Sequence, residues 1–161
     1  MWLMLAVPEA DDVIGGYRHD HDPYARFGVP AHVTVRKPFL PPAEWDRIQA
    51  SEVLASLLPV EITLARIEDR PGALVIAVEP DDSLRELTAV VTAAWPELPP
   101  HKENRPDLAY HVTVVRTRDP AVRASAIRDL KGHLPLSLTG MELWAGAATE
   151  HGYTHRVLVR T

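Results

Sequence analysis

The sequence predicts an α+β fold in which two similar lobes, each a small antiparallel sheet with helices packed outside, face each other across a cleft. Three observations predict it. Apolar strand patterns alternate with helical ones, the order of elements runs twice, and His-Val-Thr-Val stands at residues 32–35 and again at 111–114. We read residues 1–161 as a single bilobal domain of two pseudo-repeats, with the boundary near 72–80.

The elements follow in chain order. "LMLAVPEADD" (3–12) opens the first repeat as an apolar strand and an acidic turn, and "LVIAVEPDD" (74–82) opens the second in the same way. A helix is expected over 9–19, weakened by Gly15 and Gly16. The first His-Val-Thr-Val strand comes next, then a less regular helix over 42–57. "LLPVEITL" (57–64) closes the first repeat and resembles "HLPLSLTG" (133–140) in the second, 76 residues on. In the second repeat, 81–95 carries Leu84, Leu87, Val90, Val91 and Ala94 at helical spacing, with Ser83 and Glu86 placed as a capping box. The helix of 119–132 has Asp119 as N-cap, Pro120 in its first turn and Gly132 as its stop. Strands are expected at 60–67, 73–78, 134–144 and 154–160. The proline-rich stretch 96–108 reads as a connecting loop or a lid.

Composition narrows the function. Net charge is −5, so no overall basic field draws in long nucleic acid, and a phosphate-bearing ligand must be held by local groups. Cysteine is absent, which excludes disulfides, a thiolate nucleophile and cysteine-ligated zinc. The apolar run "WLMLAVP" is too short for a membrane span and has the wrong flanks for a signal peptide. The expectation is a cytoplasmic monomer with no membrane contact, no cofactor and no obligate protein partner.

Alternate residues of a strand share a face. His32 therefore lies beside Thr34, and His111 beside Thr113, while Val33, Val35, Val112 and Val114 point into the core. Sheet propensity accounts for valine and threonine, but gives no reason for histidine in both copies. Two imidazoles flanking one phosphate make an acid–base pair, one ring neutral and one protonated near the reference pKa of ~6.5. The threonine hydroxyls can donate to non-bridging oxygens as charge builds there. No metal is needed for this chemistry. Its pH profile should be bell-shaped, with both limbs within about 1–2 units of ~6.5.

"GVPAHVTVRKPFLPP", including Pro38-Phe39, and "HVTVVR" resemble the two H-x-T motifs of the two-histidine phosphoesterase superfamily, in particular its bacterial 2′-5′ RNA ligase and RNA cyclic phosphodiesterase branch. The resemblance covers nearly the whole chain and implies catalytic His32, Thr34, His111 and Thr113 in a bilobal α+β cleft. It implies opening of 2′,3′-cyclic phosphates on RNA ends or small nucleotides, including 2′-5′-linked ones, with 2′-5′ ligation as a side reaction in some members. It also favours Arg116, five residues past His111, as a phosphate clamp. Regular strand geometry favours Arg36 instead, since it shares a face with His32 and Thr34. The segment "HKENRPDLAY" departs from the glycine-rich loop expected before the second motif, and it brings Tyr110 beside His111.

Other residues bear on substrate and on competing readings. Tyr110, Trp144 and Tyr153 are substrate-binding candidates, and Tyr24, Phe27 and His101 could also stack on a base. Trp95 ends an amphipathic helix and reads as core. "RHDHDPY" (18–24) places His19, Asp20, His21 and Asp22 together, a metal-like run that reads better as a polar turn. The competing functions are a metal-dependent phosphoesterase using His19–Asp22, and a non-catalytic nucleotide-binding or tailoring protein that keeps the cleft.

Overall fold

The computed structural model describes residues 1–49, 52–99 and 109–161. Its elements are β1 (Trp2–Ala6), α1 (Asp11–His21), β2 (His32–Arg36), α2 (Trp45–Gln49), α3 (Glu52–Ala55), β3 (Val60–Arg70), β4 (Ala73–Val78), α4 (Asp82–Ala94), β5 (His111–Val115), α5 (Pro120–Leu130), β6 (Leu136–Gly140), β7 (Glu142–Thr149) and β8 (Gly152–Arg160). The α+β class holds. In place of two sheets, one per repeat, there is one eight-stranded sheet ordered β6-β3-β4-β5-β2-β1-β7-β8, and its halves are not the repeats: β3, expected to close the first repeat, lies with β4 and β5, while β7 and β8 lie with β1 and β2. The halves join between β2 and β5, the two His-Val-Thr-Val strands, at the pair Val33–Val112.

Helix chemistry explains most of the boundaries. The Asp119 side chain accepts from Ala121 N at 2.9 Å and Pro120 follows it, so α5 begins as expected. The capping box expected at Ser83 and Glu86 does not form. The helix α4 begins at Asp82, and the Asp81 carboxylate takes Arg85 at 2.6 and 2.9 Å instead of a backbone N–H. Leu84, Leu87 and Val91 of α4 join Ile14 of α1 and Leu130 of α5 against one face of the sheet. Val33, Val35, Val112 and Val114 meet them there fully buried, each contributing roughly 1.5–3 kcal/mol. The valines anchor the His-Val-Thr-Val strands, and the histidines and threonines are left to face the other side of the sheet.

The segment 134–144, expected as one strand, is two. Its first part, β6, pairs with β3 and its second, β7, pairs with β1 in the other half. Only Met141 separates β6 from β7, so the sheet must curl to bring these places together. Gly140 permits the approach: a Cβ there would lie 2.6 Å from the Leu5 side chain. No helix among the described residues is long and apolar enough to cross a membrane.

Candidate active site

Around the pair Val33–Val112, antiparallel register sets His32 across from Thr113 and Thr34 across from His111. Regular geometry puts diagonal partners such as the two histidines roughly 7–8 Å apart at Cα. All four line one cleft of about 150 Å³. This is below the size of most ligand pockets.

Each imidazole faces a backbone carbonyl, and that of His111 also faces Arg70 Nη1 at 3.1 Å. His32 Nδ1 lies 2.8 Å from the Pro30 carbonyl and His111 Nδ1 lies 3.2 Å from the Ala109 carbonyl, each two residues upstream. At His32 the bond at Nδ1 leaves Nε2 as the nitrogen available for chemistry. His32 is half-buried, and burial pulls its pKa down to about 4. The Arg18 and Arg116 cations push the same way, while the Pro30 carbonyl and Asp22 oppose them. The ring is therefore neutral at pH 7.

Two β-bulges complete the cleft. Beside β1, Met4 pairs with Thr34 but Leu3 with Arg36; beside β4, Val75 pairs with Thr113 but Leu74 with Val115. An extra residue, Val35 in one repeat and Val114 in the other, reverses the alternation of side chains that follow. Arg36 is thereby turned away from the cleft, which corrects its expected position beside Thr34. It is 2% exposed, with Nη2 donating to the Pro99 carbonyl at 2.8 Å and Nε without a partner. The same reversal brings Lys37 and Arg116, equivalent residues of the two repeats, into the cleft lining. Arg116 reaches Thr113 Oγ1 at 3.4 Å, Asp22 at 3.5 Å and the face of Tyr24 at 5.2 Å.

The polar run 19–22 supports this site from behind. Asp22 is 1% exposed and faces both Arg18 and Arg116. The buried Arg18 also pairs with Asp11 at 2.6 Å, and Asp11 accepts from Ala31 N at 2.8 Å, which ties α1 to the start of β2. His19 pairs outward with Asp20. The four residues do not converge, and no group of three or more possible metal ligands forms among the described residues.

The remaining candidates separate. Tyr110 turns to α4, where its hydroxyl donates to Thr88 Oγ1 at 2.7 Å, so it is packing and not lining. Trp144 and Tyr153 lie outside the cleft, in an aromatic wall beside it. Tyr153 stacks edge-on to Tyr24 at 4.4 Å and to Phe27 at 5.4 Å, and Trp144 sits 5.1 Å from His155. Trp95 packs edge-on against buried Phe39 at 5.7 Å. His101 and residues 100–108 of the expected loop or lid lie outside the described residues.

Two lining residues had no sequence signal strong enough to single them out. Trp2 is 5.3 Å from Tyr24 and lies under Lys37 at 5.8 Å. It reads as one more apolar residue of β1, although period-2 alternation with Met4 and Ala6 gives it the cleft-side phase. Gly146 makes room for it: a Cβ there would lie 2.6 Å from the indole. Lys37 was hidden by the bulge. With Lys37 and Arg116 in the lining and no carboxylate among its residues, the cleft carries local positive charge in a chain of net negative charge.

A family model described as the 2′-5′ RNA ligase superfamily matches residues 6–147. Three solved structures are similar in fold. TT0787 of Thermus thermophilus is 16% identical with a TM-score of 0.55, over 98% of this chain and 95% of its own. E. coli LigT complexed with ATP is 18% identical with a TM-score of 0.59, over 99% of this chain and 95% of its own. E. coli LigT complexed with 3′-AMP is 17% identical with a TM-score of 0.58, over the same shares. No curated protein sequence shows a significant match.

Proposed function

The chain belongs to the 2′-5′ RNA ligase superfamily of two-histidine phosphoesterases, and from that premise we propose that it is a metal-independent phosphodiesterase opening 2′,3′-cyclic phosphates on RNA ends or small nucleotides. The observation that carries this reading is the pair of imidazoles on one cleft that also holds both threonines, Lys37 and Arg116. His32, neutral at pH 7, takes a proton from the attacking water through Nε2. The water oxygen bonds to phosphorus and one ring P–O bond breaks. His111, starting as imidazolium, gives its Nε2 proton to the departing ribose oxygen. The Thr34 and Thr113 hydroxyls, with Arg116 and Lys37, meet the charge that builds on the non-bridging oxygens.

The nucleoside then lies against Trp2 and Tyr24, with Tyr153 and Trp144 behind them as a stacking wall. The nucleotides bound in the LigT structures accord with such a ligand. With an RNA hydroxyl in place of water, the same groups run the step as 2′-5′ transfer. By family resemblance, hydrolysis leaves a 2′-phosphate and a free 3′-hydroxyl.

The test is a screen of 2′,3′-cyclic nucleotides, 2′-5′ oligonucleotides and cyclic-phosphate RNA ends, with and without a chelator, with products run against both phosphate isomers. Chelator-resistant turnover to the 2′-phosphate is expected. Turnover abolished by chelation would return the reading to a metal-dependent enzyme, and binding without turnover to a nucleotide-binding protein.

A further inference from the structure

Arg116 is held at two points by two consecutive residues of another element. Its backbone N–H donates to the His21 carbonyl at 2.9 Å, and its side-chain Nε lies 3.5 Å from Asp22 Oδ1. His21 is the last residue of α1 and Asp22 caps it. The end of one helix thus fixes where the chain leaves β5 and where the arginine after that strand points. Asp22 Oδ1 also accepts from Tyr24 N at 3.2 Å. One carboxylate oxygen therefore places both the guanidinium and the Tyr24 ring that it covers at 5.2 Å.

Neutralising Arg18 does not account for Asp22. Its other oxygen, Oδ2, faces Arg18 Nη2 and Nε at 3.3 and 3.4 Å, but Asp11 meets the same guanidinium at 2.6 Å. A carboxylate at 1% exposure is costly unless its charge and lone pairs are met, and the second cation, at Oδ1, meets them. Arg18 in turn donates to the Val29 carbonyl at 3.0 Å, and Asp11 accepts from Ala31 N. Those two bonds flank Pro30, whose carbonyl faces His32. The run of pairs Asp11–Arg18–Asp22–Arg116 thus spans from the approach to β2 to the end of β5. We infer that Asp22 is a positioning residue, which holds the Arg116 guanidinium beside Thr113 on the cleft, ready for a phosphate oxygen. A half-exposed arginine without that hold would lose side-chain freedom each time it met a ligand.

The use of Arg116 on a phosphate rests on the phosphodiesterase reading, whereas the hold does not, so the test reads both. In arginine-labelled protein at pH 7 without phosphate, the Arg116 Nε–H should exchange with water at least about tenfold more slowly than that of Arg47, an exposed arginine. Asp22→Asn, which keeps an oxygen for Tyr24 N but no charge, should bring the two rates together. On a 2′,3′-cyclic-phosphate RNA end, Arg116→Met should lower kcat/KM by roughly 10–10² and Asp22→Asn by roughly 3–10. With Arg116 already replaced, Asp22→Asn should cost no more than about twofold, because nothing is left for it to hold. At pH 7 His32 is neutral, so the charge of that ring does not enter the comparison. A merely structural Asp22 would instead cost the same in both backgrounds, and that result overturns the inference. So does an Arg116 Nε–H that exchanges like that of Arg47 in the wild type, a result that needs no folded variant, or one that Asp22→Asn leaves unchanged. The expected exchange rates without turnover of any cyclic phosphate would sink the functional reading alone.

Discussion

Lowering the pH from 7 to 4 should cost this protein stability through one side chain, His32. Its folded pKa is about 4, held down first by burial, whereas the unfolded chain titrates near the ordinary value of 6.5. Between those values the unfolded chain binds a proton that the folded protein refuses, so stability rises with pH across that window. The contribution is complete above ~6.5 and lost as the pH falls to ~4. A displacement of about 2.5 units, at 1.36 kcal/mol each, gives about 3 kcal/mol over the whole window. The perturbation that isolates it is His32→Asn, whose amide takes the place of Nδ1, can donate to the Pro30 carbonyl and does not titrate. Urea unfolding of both proteins at pH 7, 6, 5 and 4 supplies the assay, because groups shared by the two cancel in the difference. Wild type minus variant should fall by about 3 kcal/mol from pH 7 to pH 4. Parallel curves, agreeing within about 0.5 kcal/mol across the range, would refute the reasoning and leave His32 as an ordinary solvated histidine.

The same environment moves the acid limb of kcat/KM, which reports the free enzyme, to near pH 4 and away from ~6.5. Arg116→Met should raise that limb, by removing a cation that disfavours the charged ring, and should also weaken binding of inorganic phosphate. Arg36→Met should leave activity within about twofold and stability nearly unchanged, since it replaces a buried guanidinium with an unpaired Nε by an apolar chain; matched activity losses in the two arginine variants would contradict the placement set by the bulges. Thr34→Val and Thr113→Val should each lower kcat by roughly 10²–10³ without unfolding the protein, and full activity in the double variant would make the hydroxyls framework.

Much of this was legible in the sequence. The His-Val-Thr-Val pair and the cap at Asp119 are local patterns, and local patterns survive into the fold. What was hidden depends on partners far along the chain. Nothing in 134–144 signals that a continuous apolar run changes neighbours at Met141, because strand propensity is the same on both sides of the break. Arg36 and Arg116 could not be ranked by alternation, since an extra residue in each strand reverses it, and that extra residue is a valine like its neighbours. Lys37 was lost for the same reason. Asp22 resembled a metal ligand because acidic and imidazole groups cluster in sequence, whereas its carboxylate is committed to Arg18 and Arg116. Arg70 stands 41 residues from His111, and only the pairing of β3, β4 and β5 brings them together.

The central claim is that two imidazoles from separate repeats act as a unit on one phosphate. Single-turnover opening of a 2′,3′-cyclic-phosphate RNA end, in chelator, by wild type, His32→Ala, His111→Ala and the double variant tests it most directly. Each single change should cost roughly 10²–10⁴ in rate, and the double change should cost less than the product of the two. Full rate in either single variant, or losses that multiply as independent effects, would contradict it.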